Sequence, residues 1–388
     1  MRIISLDQRY NINSNAFDIV RLILALIVVY GHTYAVLYGH SAVGPNGNSE
    51  FLSKLTGGQL GSGTLAVYMF FVISGFLITQ SMVNSKSYMD YIVKRFLRIM
   101  PALFCCLVLS AFIISPIVSK LSFSDYLNHE VNPSSYFVKN LVFGIFGFYY
   151  VIADVFSTNP FPSSINASLW TLPNELACYT LVVILSVFAF FKNRRGLLLF
   201  YFISLLLVYW NMQFGSIPIP DKNDHWWMLG VNYIGGFMKL SCYFIAGSVL
   251  YCYRDKITSH IGIFVVLAVI LVIAANLKCL DYALLICLPY MTISICFLKP
   301  VVNLRKIGDF SYGIYIYAFP IQQFFAFYLS DKMTFIPFLA ITTLCVVGVS
   351  AISWHFVEKP ALSLKKKYKS VRQLFINDKV DQKQHQTI

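Results

Sequence analysis

The sequence predicts an all-α fold: a polytopic integral membrane helical bundle with about ten transmembrane helices and both termini cytoplasmic. Three observations predict it. Of 388 residues, 57% are hydrophobic and only 12% are charged, with a mean hydropathy of +0.66. A soluble domain carries about 25% charged residues, so this chain lacks the polar surface to be solvated as a globule. Apolar runs approaching the ~20 residues of a spanning helix recur along the whole chain. Lysine and arginine gather in alternate connections between those runs, as the positive-inside rule requires.

Taken in order, the runs predict helices over 17–37, 64–83, 101–118, 177–191, 197–213, 231–252, 261–275, 280–298, 311–329 and 335–357. The first run is too long for the core of a cleavable signal and is expected to act as an uncleaved anchor. A further stretch, 137–153, is interrupted by Gly144 and Gly147 and reads as interfacial or re-entrant. With ten spans, 22 of the 30 lysines and arginines fall in cytoplasmic segments and six in outer loops. Topology thus accounts for the net charge of +13 without a nucleic acid partner. Residues 1–360 form one transmembrane domain, and 361–388 a basic cytoplasmic tail. Its Lys365, Lys366, Lys367 and Lys369 face either anionic headgroups or solvent. The connection 119–176 is the longest, and loops of that length commonly cover a site. The nine cysteines lie almost entirely inside apolar runs without metal-ligand spacing. They read as small core hydrophobes, and no metal site is expected.

Ionisable residues inside apolar spans are costly and point to function. Arg21 and His32 are eleven residues apart on the first helix, about three full turns, so they share one face at a separation of about 16 Å. That arrangement suits a long donor with its charged head at the cytoplasmic surface. An Arg reaching headgroups and a His satisfied by a neighbouring helix is the alternative. Ser74 and Gly75 lie near the middle of the second helix, where small residues let helices approach closely. Lys94, Arg95 and Arg98 stand at the entrance to the third. Arg95 and Arg98 share a face and could clamp phosphate, although the positive-inside rule alone also places them there. Glu175 follows Pro173 in a first helical turn, where an anion suits the dipole. Read functionally, it lies at the depth of His32 and orients that imidazole or contacts a sugar hydroxyl. Tyr312 and Tyr315 fit interfacial anchoring. Asp18 and Glu358 lie at the depth of Arg21, and either could pair with it.

These segments together resemble the membrane-bound acyltransferase family 3 of surface-polysaccharide O-acetyltransferases. The similarity runs from Phe17 to Pro360. It rests on Asp18-x-x-Arg21 followed by His32, then FFVISGFLIT, KRFLRIMPAL, SLWTLPNE, FSYGIYIY and FVEKP in that order. The resemblance implies a multi-pass protein of the bacterial inner membrane that moves an acyl group, usually acetyl, from acetyl-CoA to a saccharide hydroxyl. The acceptor would belong to O-antigen, capsule or exopolysaccharide, reached as a saccharide or lipid-linked glycan. No bound cofactor is implied, acetyl-CoA being a substrate. Arg21 and His32 map onto residues regarded as essential, and Arg95 or Arg98 onto the arginine of the third-helix motif. Expected roles are catalysis by His32 and Glu175, and donor binding by Arg21, Arg95, Arg98, Ser74, Gly75 and Tyr312. His32 would act as general base or become transiently acylated, with direct attack preferred. One departure is Ala318, which stands where many members carry a second histidine. The competing classes are a transporter or flippase for a lipid-linked glycan, and an acyltransferase with a non-polysaccharide acceptor.

Overall fold

The computed structural model describes residues 6, 15–39, 49–142, 149–215, 231–298 and 308–364. The basic run at 365–369, Gly144 and Gly147 lie outside the described residues. The chain is all-α, with long helices α1 (Phe17–Tyr38), α2 (Ser62–Val83), α3 (Tyr88–Val118), α4 (Ala167–Val187) and α5 (Arg194–Phe214). Then follow α6 (Val231–Cys252), α7 (Ile261–Asn276), α8 (Leu280–Cys296), α9 (Ser311–Leu329) and α10 (Phe335–Leu364).

The expectation of about ten transmembrane helices is overturned. Among the described residues six helices, α1 to α5 and α10, are long and apolar enough to cross a membrane. The apolar α7 and α8 have only 16 and 17 residues, short of the ~20 that a span needs. In α6 and α9, polar side chains such as Lys239, Gln322 and Gln323 dilute the apolar run. Counting apolar stretches treated these four as equal to the rest. The loop-by-loop sidedness that rested on ten crossings, and with it the placing of both termini, falls too.

α3 begins at Tyr88, well before the 101 expected. Its first turns are too charged for a hydropathy count, but Ser87 caps them by accepting the Asp90 N–H at 3.1 Å, a strong start signal. Arg95 and Arg98 are therefore fixed on a regular helix. The wider turn Leu109–Ile114 interrupts the same helix further on.

α2 is central, packed against α6, α1 and α4, while α9 packs against α1 and α10. The α2–α6 crossing is a backbone contact. A Cβ on Gly75 would lie 1.9 Å from the Phe244 carbonyl oxygen, and one on Gly247 would lie 2.1 Å from that of Val72. Only glycine permits this approach. Thr79 Oγ1 then reaches Ser248 Oγ at 2.8 Å across the same seam.

The long connection before α4 descends into the bundle along α9. Asn159 Nδ2 donates to Gln323 Oε1 at 2.8 Å, and Gln323 Nε2 donates to the Ser164 carbonyl at 2.7 Å. Deeper, Asn166 Nδ2 donates to the Ile316 carbonyl at 2.8 Å, and Thr171 Oγ1 meets Tyr315 Oη at 2.6 Å. From Gln323 to Tyr315 is eight residues, a descent of about 12 Å at 1.5 Å per residue. Asn159, Asn166, Gln322 and Gln323 are all buried, and their amides supply the hydrogen bonds that an irregular buried backbone requires. This descent sets the start of α4 inside the protein.

Candidate functional site

A cavity of about 300 Å³ opens among α1, α2, α3, α4 and α9. Arg21, Lys94, Arg95 and Arg98 supply its cations, and Phe70, Ser74, Thr171, Glu175, Tyr179, Tyr312 and Tyr315 also line it, with Tyr179 beside Arg95 and Tyr312 beside Arg98. Six of the eight residues singled out from the sequence thus share one cavity: Arg21, Arg95, Arg98, Ser74, Glu175 and Tyr312. Gly75, the seventh, belongs to the α2–α6 seam described above.

The charges at the arginine end are organised by a residue that sequence reasoning missed. Asp309, just before α9, accepts from Arg21 Nη1 at 2.7 Å and from Arg98 Nη2 at 2.6 Å through the same Oδ2. Arg98 Nη1 also reaches Glu358 Oε2 at 3.4 Å. Glu358, expected as a partner for Arg21, instead serves Arg98. Burial opposes ionisation of Asp309, but the two guanidinium groups and Ser311 outweigh it and hold its carboxyl well below the usual range. Ser311 Oγ donates to Asp309 Oδ1 at 2.5 Å. The signal in the sequence was a lone acid directly ahead of the FSYGIYIY run.

Arg95 is different. Its Nη2 reaches Ser81 Oγ at 3.4 Å, and its guanidinium lies 6.0 and 5.9 Å from the Tyr91 and Tyr179 ring centres. Its Nε is buried without a hydrogen-bond partner, and among the described residues no carboxylate lies within ion-pair distance. Lys94, its neighbour, pairs with Asp90 at 2.6 Å. Arg95 is therefore the cavity cation least committed to the protein itself.

Glu175 accepts a hydrogen bond from the Tyr179 hydroxyl. Because Tyr179 stands against Arg95, the carboxylate lies toward the arginine end and not at the depth of His32. The buried descent along α9 carries the start of α4 inward, which a boundary drawn from hydropathy could not reveal. Tyr312 Oη donates to the Ile99 carbonyl at 3.1 Å, tying α9 to α3 beneath the Arg98 guanidinium.

His32 does not line the cavity. Its ring packs edge-on against Phe319, 5.2 Å between centres at 84°, and its Nδ1 is buried without a hydrogen-bond partner. α1 is continuous from Arg21 to His32, so the two side chains share a face about 16 Å apart along the axis. Phe70 and Tyr315, which both line the cavity, meet edge to face at 6.1 Å. Phe319, the ring against His32, is one turn of α9 beyond Tyr315, about 6 Å. Ala318 is buried in the same stretch of α9. Among the described residues no group of three or more His, Cys, Asp or Glu side chains is arranged to hold a metal.

Residues 14–355 match the sequence profile of a family described as an acyltransferase domain. An O-acetyl transferase of Shigella phage Sf6 is 32% identical over 356 residues, covering 90% of this chain and 96% of that protein. Nodulation protein 10 of Rhizobium leguminosarum bv. viciae is 25% identical over 370 residues, covering 90% of this chain and 94% of that one. No solved structure matches.

Proposed function

The chain belongs to the acyltransferase-domain family and is a multi-pass membrane acyltransferase, and on that premise we propose that it moves an acetyl group from acetyl-CoA to a hydroxyl of a cell-surface saccharide. The observation that carries the reading is the cavity lined by Arg21, Lys94, Arg95 and Arg98, with Arg21 on the same continuous helix face as His32. Acetyl transfer to oxygen is supported by the printed name of the phage relative. The saccharide acceptor follows from the resemblance in the motif series.

In this mechanism the arginine-rich end receives the donor, and Arg95 takes one of its phosphate oxygens through its uncommitted guanidinium edge. Arg21 and Arg98 hold the mouth in shape through Asp309 and add positive potential. Ser74, Tyr312 and Glu175 with Tyr179 shape the channel for the acyl-pantetheine arm. A volume of about 300 Å³ is at the small end for ligand pockets and suits the arm, with the nucleotide left at the mouth. The ~16 Å from Arg21 to His32 matches the reach required of that arm. His32 is not among the residues lining the cavity, so the thioester must move beyond that lining to meet the acceptor.

His32 Nδ1 then accepts the proton of the acceptor hydroxyl as its oxygen attacks the thioester carbonyl. The C–S bond breaks, the new ester C–O bond remains, and the imidazolium returns the proton to the departing thiolate. The products are the O-acetyl saccharide and coenzyme A. General-base removal costs about 10²- to 10⁴-fold in rate.

The test measures base-labile acetate on the host's surface polysaccharide for the intact gene, a deletion and His32→Ala at matched membrane abundance. Loss in both altered strains is expected. Unchanged acetate in the deletion overturns the saccharide assignment, and full activity of His32→Ala removes that imidazole from the chemistry.

A further inference from the structure

Glu50 lies in the connection between α1 and α2, and nothing in its sequence context marked it. It is 7% exposed. One carboxylate oxygen, Oε1, accepts the Ser62 N–H at the start of α2, which satisfies a helix-end donor. The other, Oε2, is buried with no hydrogen-bond partner. Among the described residues no cation lies within ion-pair distance of it.

Such a group is expensive. A buried carboxylate is tolerated when its oxygens are paired or hydrogen-bonded, and the helix-end N–H occupies only one of the two oxygens here. Gly61 makes room for this side chain, since a Cβ there would fall 2.7 Å from Oε1, and Gly31 adjoins the free oxygen, where a Cβ would stand in ordinary contact with Oε2 at 3.9 Å. Gly31 immediately precedes His32, so the free oxygen lies against the same turn of α1 that presents the unpartnered His32 Nδ1. Successive helix residues point about 100° apart, so Oε2 and His32 Nδ1 flank this turn of α1 from two sides. A carboxylate accepts hydrogen bonds, so the group that it takes is a donor, and on the acetyl-transfer reading above that donor is a hydroxyl.

We propose that Glu50 Oε2 and His32 Nδ1 are the two ends of an acceptor subsite, in which Glu50 binds a hydroxyl of a polyhydroxylated acceptor beside the hydroxyl that reacts at His32. The proposal rests on the acetyl-transfer reading above. It makes Glu50 a substrate-binding residue, distinct from the donor cavity at the arginine end.

Glu50→Gln keeps an oxygen for Ser62 N–H but replaces the free acceptor with a donor. Ser62→Pro removes the capped N–H at a first helical position that tolerates proline, with Gly61 already extended at φ −96° and ψ 153°. Two readouts are taken on the full-length protein: envelope O-acetyl content at matched membrane abundance, and acetyl-CoA affinity after purification into lipid nanodiscs. A hydrogen bond to a charged group is worth ~10-fold or more. Glu50→Gln should therefore lower envelope acetylation at least ~10-fold with acetyl-CoA affinity within about twofold of wild type, and Ser62→Pro should stay within about threefold on both. Should Glu50→Gln fail to accumulate, Glu50→Asp, which keeps the charge but withdraws the oxygen by one methylene, is expected to show the same split.

Acetylation by Glu50→Gln within threefold of wild type overturns the subsite. Equal damage by Ser62→Pro, or parallel loss of donor affinity in Glu50→Gln, assigns Glu50 to the helix cap and also overturns it. Failure of the underlying reading looks different: wild-type protein would then bind no acetyl-CoA, or its deletion would leave envelope acetate unchanged.

Discussion

At one end of α1, Arg21, Arg98, Asp309 and Glu358 close a network in which charge meets charge at 2.6 to 3.4 Å. At the other end, His32 Nδ1, Ser49 Oγ, Glu50 Oε2 and Gln322 Oε1 are buried with no partner. Both ends look functional from sequence because both place polar groups among apolar ones. The closed network explains itself as structure, since each charge compensates another. The open end is left with polar capacity that the protein does not use on itself, and at the arginine end the same is true of Arg95. Partner accounting thus separates groups that hold the cavity from groups available to substrates.

The largest effect that would break this contrast is at Asp309. Removing one member of a buried charge network leaves the others uncompensated and costs about 3 kcal/mol. Asp309→Asn should lower the thermal midpoint of the detergent-solubilised protein by several degrees. An unchanged midpoint would mean that Arg21 and Arg98 are solvated, and the distinction between the two ends would collapse.

The same carboxylate gives a pH signature of known sign. Its folded-state pKa lies below the unfolded reference of about 3.9, so its stabilisation is complete above that reference. It is lost as the pH falls toward and through the folded value. Wild-type stability should show no pH dependence from this group between pH 7 and 5, where its contribution is full, and should drop below about pH 4. Asp309→Asn should lack that component, and parallel acid profiles would assign the drop to other carboxylates.

Arg95→Ala should behave as a substrate-binding loss. With no carboxylate to abandon, it is expected to raise KM for acetyl-CoA about tenfold while the thermal midpoint moves little. Arg98→Ala, by contrast, should lower the midpoint, because Asp309 and Glu358 lose their shared cation. Equal stability losses in both variants would erase the difference drawn between the two guanidinium groups.

How much was legible beforehand follows from the same physics. Apolar runs located α1 and α2 to within two residues, because a helix long enough to span is apolar on all sides and leaves an unbroken signal. They misjudged α3, whose charged first turns are helical but not apolar, and overcounted crossings where α7 and α8 are short and α6 and α9 carry polar faces. Single-helix geometry placed Arg21 and His32 on one face correctly, since that needs only 3.6 residues per turn. Pairings across helices were out of reach. Asp309 with Arg21, the inward descent that carries Glu175 toward Arg95, and Glu50 against Gly31 all depend on which elements adjoin, and spacing holds no record of that.

The finest test of the contrast compares two buried hydroxyls at the open end, Thr33 on α1 and Ser49 in the connection after it. Thr33 Oγ1 donates to the Val29 carbonyl at 2.9 Å and accepts from Gln322 Nε2 at 2.8 Å, so its hydroxyl is spent on structure. Ser49 Oγ, also buried, has no partner. Deleting a satisfied buried hydroxyl leaves its partner short and costs about 1 kcal/mol, whereas deleting an unsatisfied one removes a desolvation penalty. Thr33→Val should therefore lower the thermal midpoint modestly, and Ser49→Ala should leave it unchanged or raise it slightly. If Ser49→Ala is instead the more damaging of the two, that hydroxyl is engaged in the native protein and the open end is less open than its partner accounting indicates. If the order holds and Ser49→Ala also weakens acetylation, the spare hydroxyl is one more contact for the acceptor.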